Sequence, residues 1–83
     1  MKVRVKYFAS IRETLGQGNE TLDTGAASIG ALRDELIARG GANAAGLARG
    51  KAVRAALDQV MSNEDALLAE GCEVAFFPPV TGG

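Results

Sequence analysis

Apolar and polar residues alternate near both ends of the chain, and this alternation predicts two β-strands. The first is expected over 2–9 and the last over 72–77, because a period of two places alternate side chains on the core face. The expected core-facing residues are Val3, Val5, Tyr7, Cys72, Val74 and Phe76. Phe8 and Phe77 then fall on the opposite faces of their strands. All four aromatic residues lie in these two segments, so we expect the segments to lie side by side.

Helical periodicity is clearest from Ile29 to Arg39. Ser28 is expected to cap this helix, and Gly40-Gly41 to end it. Its apolar face is formed by Ile29, Leu32, Leu36 and Ile37. Glu35 and Arg39 are four residues apart, which predicts an ion pair between them.

A shorter helix is predicted from Ser10 to Leu15. Ser10 is a suitable N-cap, and Glu13 three residues later completes a capping box. Gly16-Gln17-Gly18 ends this helix. Residues 19–24 then predict a short edge strand with Leu22 as its single apolar anchor.

The segment 51–61 fits two patterns. Val53, Ala56, Leu57, Val60 and Met61 have helical spacing, which periodicity favours. Val53, Ala55 and Leu57 also fit a strand followed by a turn at Asp58-Gln59. On either side we expect an Ala- and Gly-rich connector over 42–50, with one helical turn at 44–47, and a loop over 62–68 with Leu67 and Leu68 pointing inward. Glu70-Gly71 is expected to form a turn.

Composition limits the classes of protein that the chain can represent. Its 83 residues predict one domain, and 47% apolar residues exclude a disordered protein. A net charge of −1 predicts neither a nucleic-acid partner nor a membrane partner. The absence of His and the single cysteine, Cys72, argue against a metal site or a disulfide. Without a secretory signal or a membrane-spanning run, the chain is expected to be soluble and cytoplasmic.

The final eight residues carry the candidate chemistry. Phe76-Phe77 is followed by Pro78-Pro79 and then by Val80, Thr81, Gly82 and Gly83. The prolines favour an extended, stiff exit, and the glycines have no side chain to obstruct a narrow channel. Residues 80–83 can reach about 13 Å. We therefore expect the carboxylate of Gly83 to be the working group, presented by the rest of the chain.

Three segments give the chain a family resemblance. The run from Glu70 to Gly83, the run Tyr7 to Glu13 and the helix start Ser28 to Arg33 resemble the ubiquitin-like β-grasp sulfur carriers, above all the small subunits of molybdopterin synthase. The resemblance implies an α+β fold: a mixed sheet with one main helix across one face, a domain at 1–77 and an extended Gly-Gly tail at 78–83. It also implies a strand over 53–57, against the helical periodicity there.

The resemblance further implies a sulfur carrier without a catalytic side chain or a bound cofactor of its own. A partner adenylating enzyme would use ATP to activate Gly83, a desulfurase system would supply sulfur, and the resulting thiocarboxylate would serve molybdenum cofactor synthesis. Pro79, Val80, Thr81 and Gly82 would enter the partners' active sites. The large subunit of molybdopterin synthase would complete a heterotetramer of two small and two large chains.

Phe8, Met61 and Phe77 are the candidate docking surface for the large subunit. They are expected to form an exposed apolar patch beside the tail, at positions that match the family's interface; the competing interpretation is a minor core under the 42–50 connector. Cys72 is expected to face inward and to be inert. Glu73 and Glu64-Asp65 could help to dock a basic activating enzyme, but a solvated surface is the favoured interpretation. Alternative functions are sulfur transfer for thiamine or tRNA thiolation, a ubiquitin-like modifier conjugated through Gly83, and a plain binding module.

Overall fold

A computed structural model describes residues 1–79 as five strands and three helices. The strands form one sheet of order β2-β1-β5-β3-β4. In chain order the elements are β1 (Lys2–Tyr7), α1 (Ala9–Leu15), β2 (Asn19–Asp23), α2 (Ile29–Ala38), α3 (Gly41–Leu47), β3 (Arg54–Leu57), β4 (Val60–Ser62) and β5 (Glu73–Phe77).

The last strand lies in the middle of the sheet. β5 pairs in parallel with β1 and antiparallel with β3, and the outer pairs β1–β2 and β3–β4 are antiparallel. Tyr7 of β1 is opposite Phe76 of β5, so the prediction that the two aromatic segments lie side by side is confirmed. The mixed sheet with a helical crossover confirms the expected α+β β-grasp arrangement, with β2 at one edge.

One hydrophobic core joins α2 to the inner face of the sheet. Ser28 caps α2 by accepting a hydrogen bond at its Oγ from the N–H of Ala31 at 3.2 Å. The helix ends at Ala38, one residue before the predicted end. The fully buried side chains of the core are Val3, Val5, Tyr7, Ile29, Leu32, Leu36, Leu47, Val74 and Phe76.

Two predicted local interactions are wrong. Ser10 does not cap α1, because Phe8 is the extended N-cap residue and its carbonyl oxygen accepts from the N–H groups of Ile11 and Arg12. Arg39 does not pair with Glu35. Its guanidinium instead reaches Glu20 on β2 at 3.0 Å, while the Glu35 carboxylate accepts from the Thr24 hydroxyl at 2.7 Å. At Arg39 a contact across the fold replaces a local one, whereas at α1 the cap is still local and lies two residues earlier than predicted.

The second half of the chain corrects three further expectations. The connector contains a seven-residue helix, α3, whose Leu47 is fully buried. Val60 to Ser62 forms a strand, β4, that was not predicted. Leu67 is 74% exposed rather than inward, whereas Leu68 packs against the core as expected. The strand β3 confirms the family-based prediction for this segment over the helical periodicity.

Candidate functional site

The chain end is held at its base by the centre of the sheet. β5 pairs with β1 up to Phe76 and with β3 up to Phe77. Pro78 and Pro79 follow outside the strand and are half-buried, as expected for residues that cannot continue a ladder. Val80, Thr81, Gly82 and Gly83 lie outside the described residues. The place where the tail leaves the domain is therefore fixed by two neighbouring strands.

A small cavity of about 70 Å³ adjoins this exit. Pro78 lines it together with α1, with Gly46 of α3 and with the segment 51–53 before β3. Gly46 allows α3 to approach α1 closely, because a Cβ there would overlap the side chain of Leu15. The exit is thus bordered by both short helices as well as by the sheet.

The three residues predicted to contact a partner are all at the surface. Phe8 is 46% exposed and Met61 is 59% exposed, while Phe77 is half-buried. Phe8 directly follows β1, and its N–H donates to the carbonyl oxygen of Phe76 at 3.1 Å. Phe77 is opposite Arg54 on β3, and Met61 is opposite Ala56. The sheet therefore carries Met61 and Phe77 on its outer face, the face turned away from the core, with Phe8 following on the same side.

Between these side chains the outer face is shallow. Ala56 of β3 and Ala75 of β5 are opposite each other. They are only 8% and 7% exposed although they point away from the core, because larger neighbours stand around them. We call Ala56 and Ala75 the alanine floor. Lys6 is opposite Ala75 on its other side, so the floor is bounded by a cation as well as by Met61.

Glu73 is buried on the same outer face. Its carboxylate is 3.5 Å from Lys6 Nζ and 3.9 Å from an Arg4 guanidinium nitrogen, with its side chain 9% exposed. Asp58 fixes its backbone, since Asp58 Oδ1 accepts from the Glu73 N–H at 2.9 Å and the Asp58 N–H donates back at 2.8 Å. The expectation that Glu73 is solvated is therefore wrong. Its central strand position buries it, and the two cations of β1 compensate its charge.

Arg33 is a structural residue that sequence reasoning missed. It is 4% exposed on α2, and its guanidinium donates to the carbonyl oxygens of Leu47 at 2.8 Å, Ala48 at 2.7 Å and Lys51 at 3.2 Å. Its remaining nitrogen donates to the Glu64 carboxylate at 2.8 Å. Arg33 thereby ties the connector beside the tail exit to α2. Its position is the signal, because Arg33 is four residues after Ile29 and three before Leu36 and so lies on the buried face of α2, although arginine is a residue type that is usually exposed.

Glu64 is the acidic partner of this cluster. Burial alone would raise its pKa, but hydrogen bonds from Arg49 and Arg33 outweigh burial and hold the pKa below its usual range. Arg49 also pairs with Asp34 at 2.8 Å. Glu64 is therefore committed to a structural cluster, and the expectation of a merely solvated side chain is wrong for it.

Cys72 is buried, as predicted, and belongs to the core with Val74 and Phe76. A buried thiol of this kind behaves as a small apolar group. Within residues 1–79, no group of three or more potential metal ligands comes together. In the same part of the chain, no helix is long and apolar enough to cross a membrane.

Comparison with known proteins adds family evidence to this geometry. Residues 5–83 match the model of the ThiS family. The chain is 38% identical over 81 residues to the molybdopterin synthase sulfur carrier subunit of Escherichia coli (strain K12), which covers 98% of this chain and 99% of that protein.

Two solved structures are also similar. A putative molybdopterin converting factor subunit 1 from Pyrococcus furiosus has a TM-score of 0.79 and 26% identity, covering 96% of this chain and 99% of that chain. A chain in a complex of subunits 1 and 2 of molybdopterin-converting factor from Helicobacter pylori has a TM-score of 0.67 and 27% identity, covering both chains completely.

Proposed function

The chain belongs to the ThiS family, and we propose that it is the sulfur carrier subunit of a molybdopterin synthase. The observation that carries this proposal is the similarity to the E. coli sulfur carrier subunit over 98% of the chain. The sheet supports it, because the central strand β5 leads directly into the residues that would carry the sulfur.

The proposed chemistry takes place at the carboxylate of Gly83. A C-terminal carboxylate has a pKa of about 3.5 and is ionised at neutral pH, so it is a poor electrophile. In the first step a carboxylate oxygen attacks the α-phosphorus of ATP, pyrophosphate leaves, and an acyl adenylate forms. A hydrosulfide equivalent then attacks the carbonyl carbon and displaces AMP. The product is a thiocarboxylate, whose sulfur is the nucleophile delivered to a pterin precursor.

The chain contributes presentation rather than acid or base catalysis. β5 fixes the base of the tail, and Pro78 and Pro79 restrict the directions in which it leaves. Restriction before binding lowers the entropy that is lost when the tail enters an active site. Gly82 and Gly83 add no side chain at the reacting end. Gly83 is thus a covalent co-substrate, and the acid and base groups belong to the partners.

Three partners follow from this chemistry. The large subunit is supported by the H. pylori complex of subunits 1 and 2, and we propose the heterotetramer of two small and two large chains. An adenylating enzyme must supply the ATP-dependent step, and a desulfurase system must supply the sulfur. We place this assembly in the cytoplasm, and Phe8, Met61 and Phe77 are its proposed contacts with the large subunit.

Mass spectrometry of the intact chain tests the proposal. After incubation with the adenylating enzyme, ATP and a sulfur donor, the mass should rise by sulfur minus oxygen. Deletion of Gly83 should abolish both this gain and molybdopterin formation, whereas the matched surface variant Asp65→Asn should retain both. Molybdopterin formation that survives the deletion would disprove the proposal. Adducts with other proteins would instead indicate a ubiquitin-like modifier, and sulfur transfer only to a thiamine precursor or tRNA would indicate the other carrier functions.

A further inference from the structure

The outer face of the sheet has a charge opposite to that of the whole chain. Four of the eight outward positions on the three central strands are basic and one is acidic. These positions are Lys2, Arg4, Lys6, Arg54, Ala56, Glu73, Ala75 and Phe77. The chain as a whole has a net charge of −1, so its basic and acidic residues are distributed unevenly over the surface.

On the three central strands the accessible charge of this face is almost entirely positive. On the edge strand β2, Asp23 is opposite Lys2 and is also exposed, and it pairs with the amino terminus at 3.3 Å. The side chains of Arg4 and Lys6 are 59% and 43% exposed, whereas that of Glu73 is 9% exposed. Arg54 is exposed, and within residues 1–79 it forms no ion pair. The carboxylate of Glu73 is therefore already compensated by Arg4 and Lys6, while Arg54 remains able to pair with a partner's carboxylate.

Lys6 and Arg54 lie beside the alanine floor and its apolar border. Lys6 is beside Ala75, and Arg54 is opposite Phe77 and two positions from Ala56 on the same strand. Met61 lies on the β4 side, and Glu73, two positions before Ala75 on β5, lies at the end opposite Phe77. The apolar residues of this face suit an apolar side chain of a partner, and the cations suit carboxylates placed beside that side chain. Such an arrangement, an apolar centre with charges at the rim, is typical of protein interfaces.

We propose that the outer face selects a protein surface in which carboxylates flank an apolar side chain, with Lys6 and Arg54 as the residues that determine this specificity. The apolar side chain occupies the alanine floor between Met61 and Phe77. The carboxylates face Lys6 and Arg54. The partner that we propose is the large subunit of molybdopterin synthase, and this identity rests on the proposed function.

Buried Glu73 makes Lys6 and Arg54 unequal. Lys6 is 3.5 Å from the Glu73 carboxylate, which partly neutralises the positive charge of Lys6. Arg54 has no such partner in the described residues. Charges at the rim of an interface act mainly through the association rate and its dependence on salt. Arg54 is therefore expected to contribute more to the association rate than Lys6.

Stopped-flow association with the large subunit of the same organism tests the proposal. The carrier is used with its ordinary carboxylate, so sulfur transfer is not needed. At an ionic strength of about 0.15 M, Arg54→Glu should lower the association rate constant about tenfold. Lys6→Gln changes the charge by one unit rather than two and should lower the rate constant by less than about threefold, the loss that an equal contribution per charge would give. Near 1 M salt, where the Debye length is about 3 Å, these differences should disappear.

Lys2→Glu is the matched control. It makes the same change of charge on the same face, but Lys2 is four residues before Lys6 on β1, roughly 13 Å away at 3.3 Å per residue. This exceeds the Debye length of about 8 Å at physiological salt, so the association rate should change little. Circular dichroism of all three variants should match that of the unchanged protein, since all three sites are at the surface.

Three results of the association measurements would overturn the proposal. They are an unchanged rate for Arg54→Glu, an equal loss for Lys2→Glu, and association that does not weaken with salt. Retention of the chain on RNA without binding to the large subunit would also overturn it. The two proposals fail separately. If the chain takes up sulfur but Arg54→Glu leaves the association rate constant unchanged, only the charge selection is disproved. If binding depends on charge but the chain takes up no sulfur, only the carrier function is disproved.

Discussion

Tyr7 and Phe76 stack across the parallel strands β1 and β5, with ring centroids 6.5 Å apart and ring planes at 16°. Both side chains are almost fully buried. The Tyr7 hydroxyl extends beyond the stack and donates to a Glu20 carboxylate oxygen at 2.7 Å. One aromatic pair therefore joins the first strand, the last strand and, through Glu20, the edge strand β2.

Tyr7 should remain protonated well above the usual tyrosine range. Burial raises its pKa most, the hydrogen bond to Glu20 and the charge of Glu20 raise it further, and Arg39 opposes them only in part. A raised pKa in the folded state stabilises the protein fully below the unfolded pKa of about 10, and this stability is lost as the pH rises toward the folded value. The free energy of unfolding should therefore fall as the pH rises above about 10.

The chain contains one tyrosine, so phenolate absorbance reports Tyr7 directly. The native protein should show no phenolate at a pH where urea-unfolded protein is half ionised. Tyr7→Phe should lose the absorbance change and also the tyrosine-dependent fall in stability. Equal titration of Tyr7 in the folded and unfolded protein would contradict the prediction.

The sequence predicted this part of the fold because the information is local. Alternation along β1 and β5 identified Val3, Val5, Val74 and Phe76 as core residues, and all four are buried. The segment 53–57 was different. Its helical periodicity is real, but Asp58 and Gln59 adopt a turn that pairs β3 with β4, and β5 covers the other edge of β3. Pairing across the sheet overrode local preference, so only the family resemblance predicted this strand.

Polar contacts between distant segments were not predictable in the same way. Arg33 donates to Glu64, which is 31 positions away in the sequence. Arg39 pairs with Glu20 rather than with Glu35, although Glu35 is nearer in the sequence. Periodicity identifies a face of a helix but not which carbonyl oxygens or carboxylates lie opposite it. For this reason the contacts of buried Arg33 and the burial of Glu73 emerge only from the three-dimensional arrangement.

Arg33→Met should destabilise the fold by about 3 kcal/mol. The substitution keeps apolar volume but leaves the carbonyl oxygens of Leu47 and Ala48, and the Glu64 carboxylate, without their donor. The matched variant Arg39→Met removes an arginine whose side chain is 40% exposed and should cost only about 0.5 kcal/mol. Urea denaturation at neutral pH measures both. Equal costs would contradict a special role for Arg33.

Glu64, in the same cluster, should make an acid-sensitive contribution to the free energy of unfolding. Its lowered folded-state pKa stabilises the protein above the unfolded pKa of about 4.3, and this contribution is lost as the pH falls through the folded value. In Arg33→Met this acid-dependent loss should be smaller than in the unchanged protein. Urea denaturation at several acidic pH values measures how the free energy of unfolding depends on pH. The same dependence in Arg33→Met and in the unchanged protein would contradict the prediction.

Gln59→Gly should stabilise the β3–β4 hairpin. Gln59 has φ of 70° and follows Asp58 at 49°, so both turn residues adopt a left-handed conformation that side chains disfavour. Glycine adopts it without a steric cost, and the gain in unfolding free energy should be about 0.5 kcal/mol. Gln17→Gly is the control, because Gln17 does not have a positive φ. That change should give no gain, and a gain of equal size would refute the turn argument.

Phe8→Asp should separate docking from folding. Phe8 is the N-cap of α1 and has no side-chain capping bond, and Asp is among the preferred residues at that position. The unfolding free energy should therefore stay the same or rise. The carboxylate would nevertheless replace an exposed ring beside the outer face, so affinity for the large subunit should fall at least tenfold.

Phe77→Asp and Val60→Asp complete the docking test. Phe77 lies on the outer face opposite Arg54, and we expect its replacement by Asp to abolish binding to the large subunit while leaving the fold intact. Val60 is 66% exposed, but it is opposite Leu57 and points to the other side of the sheet. Val60→Asp therefore removes a comparable exposed apolar group and should leave affinity unchanged. Calorimetric titration with thermal melts of each variant measures both properties. Unchanged affinity of Phe8→Asp and Phe77→Asp, or an equal loss in Val60→Asp, would show that this patch is not the docking surface.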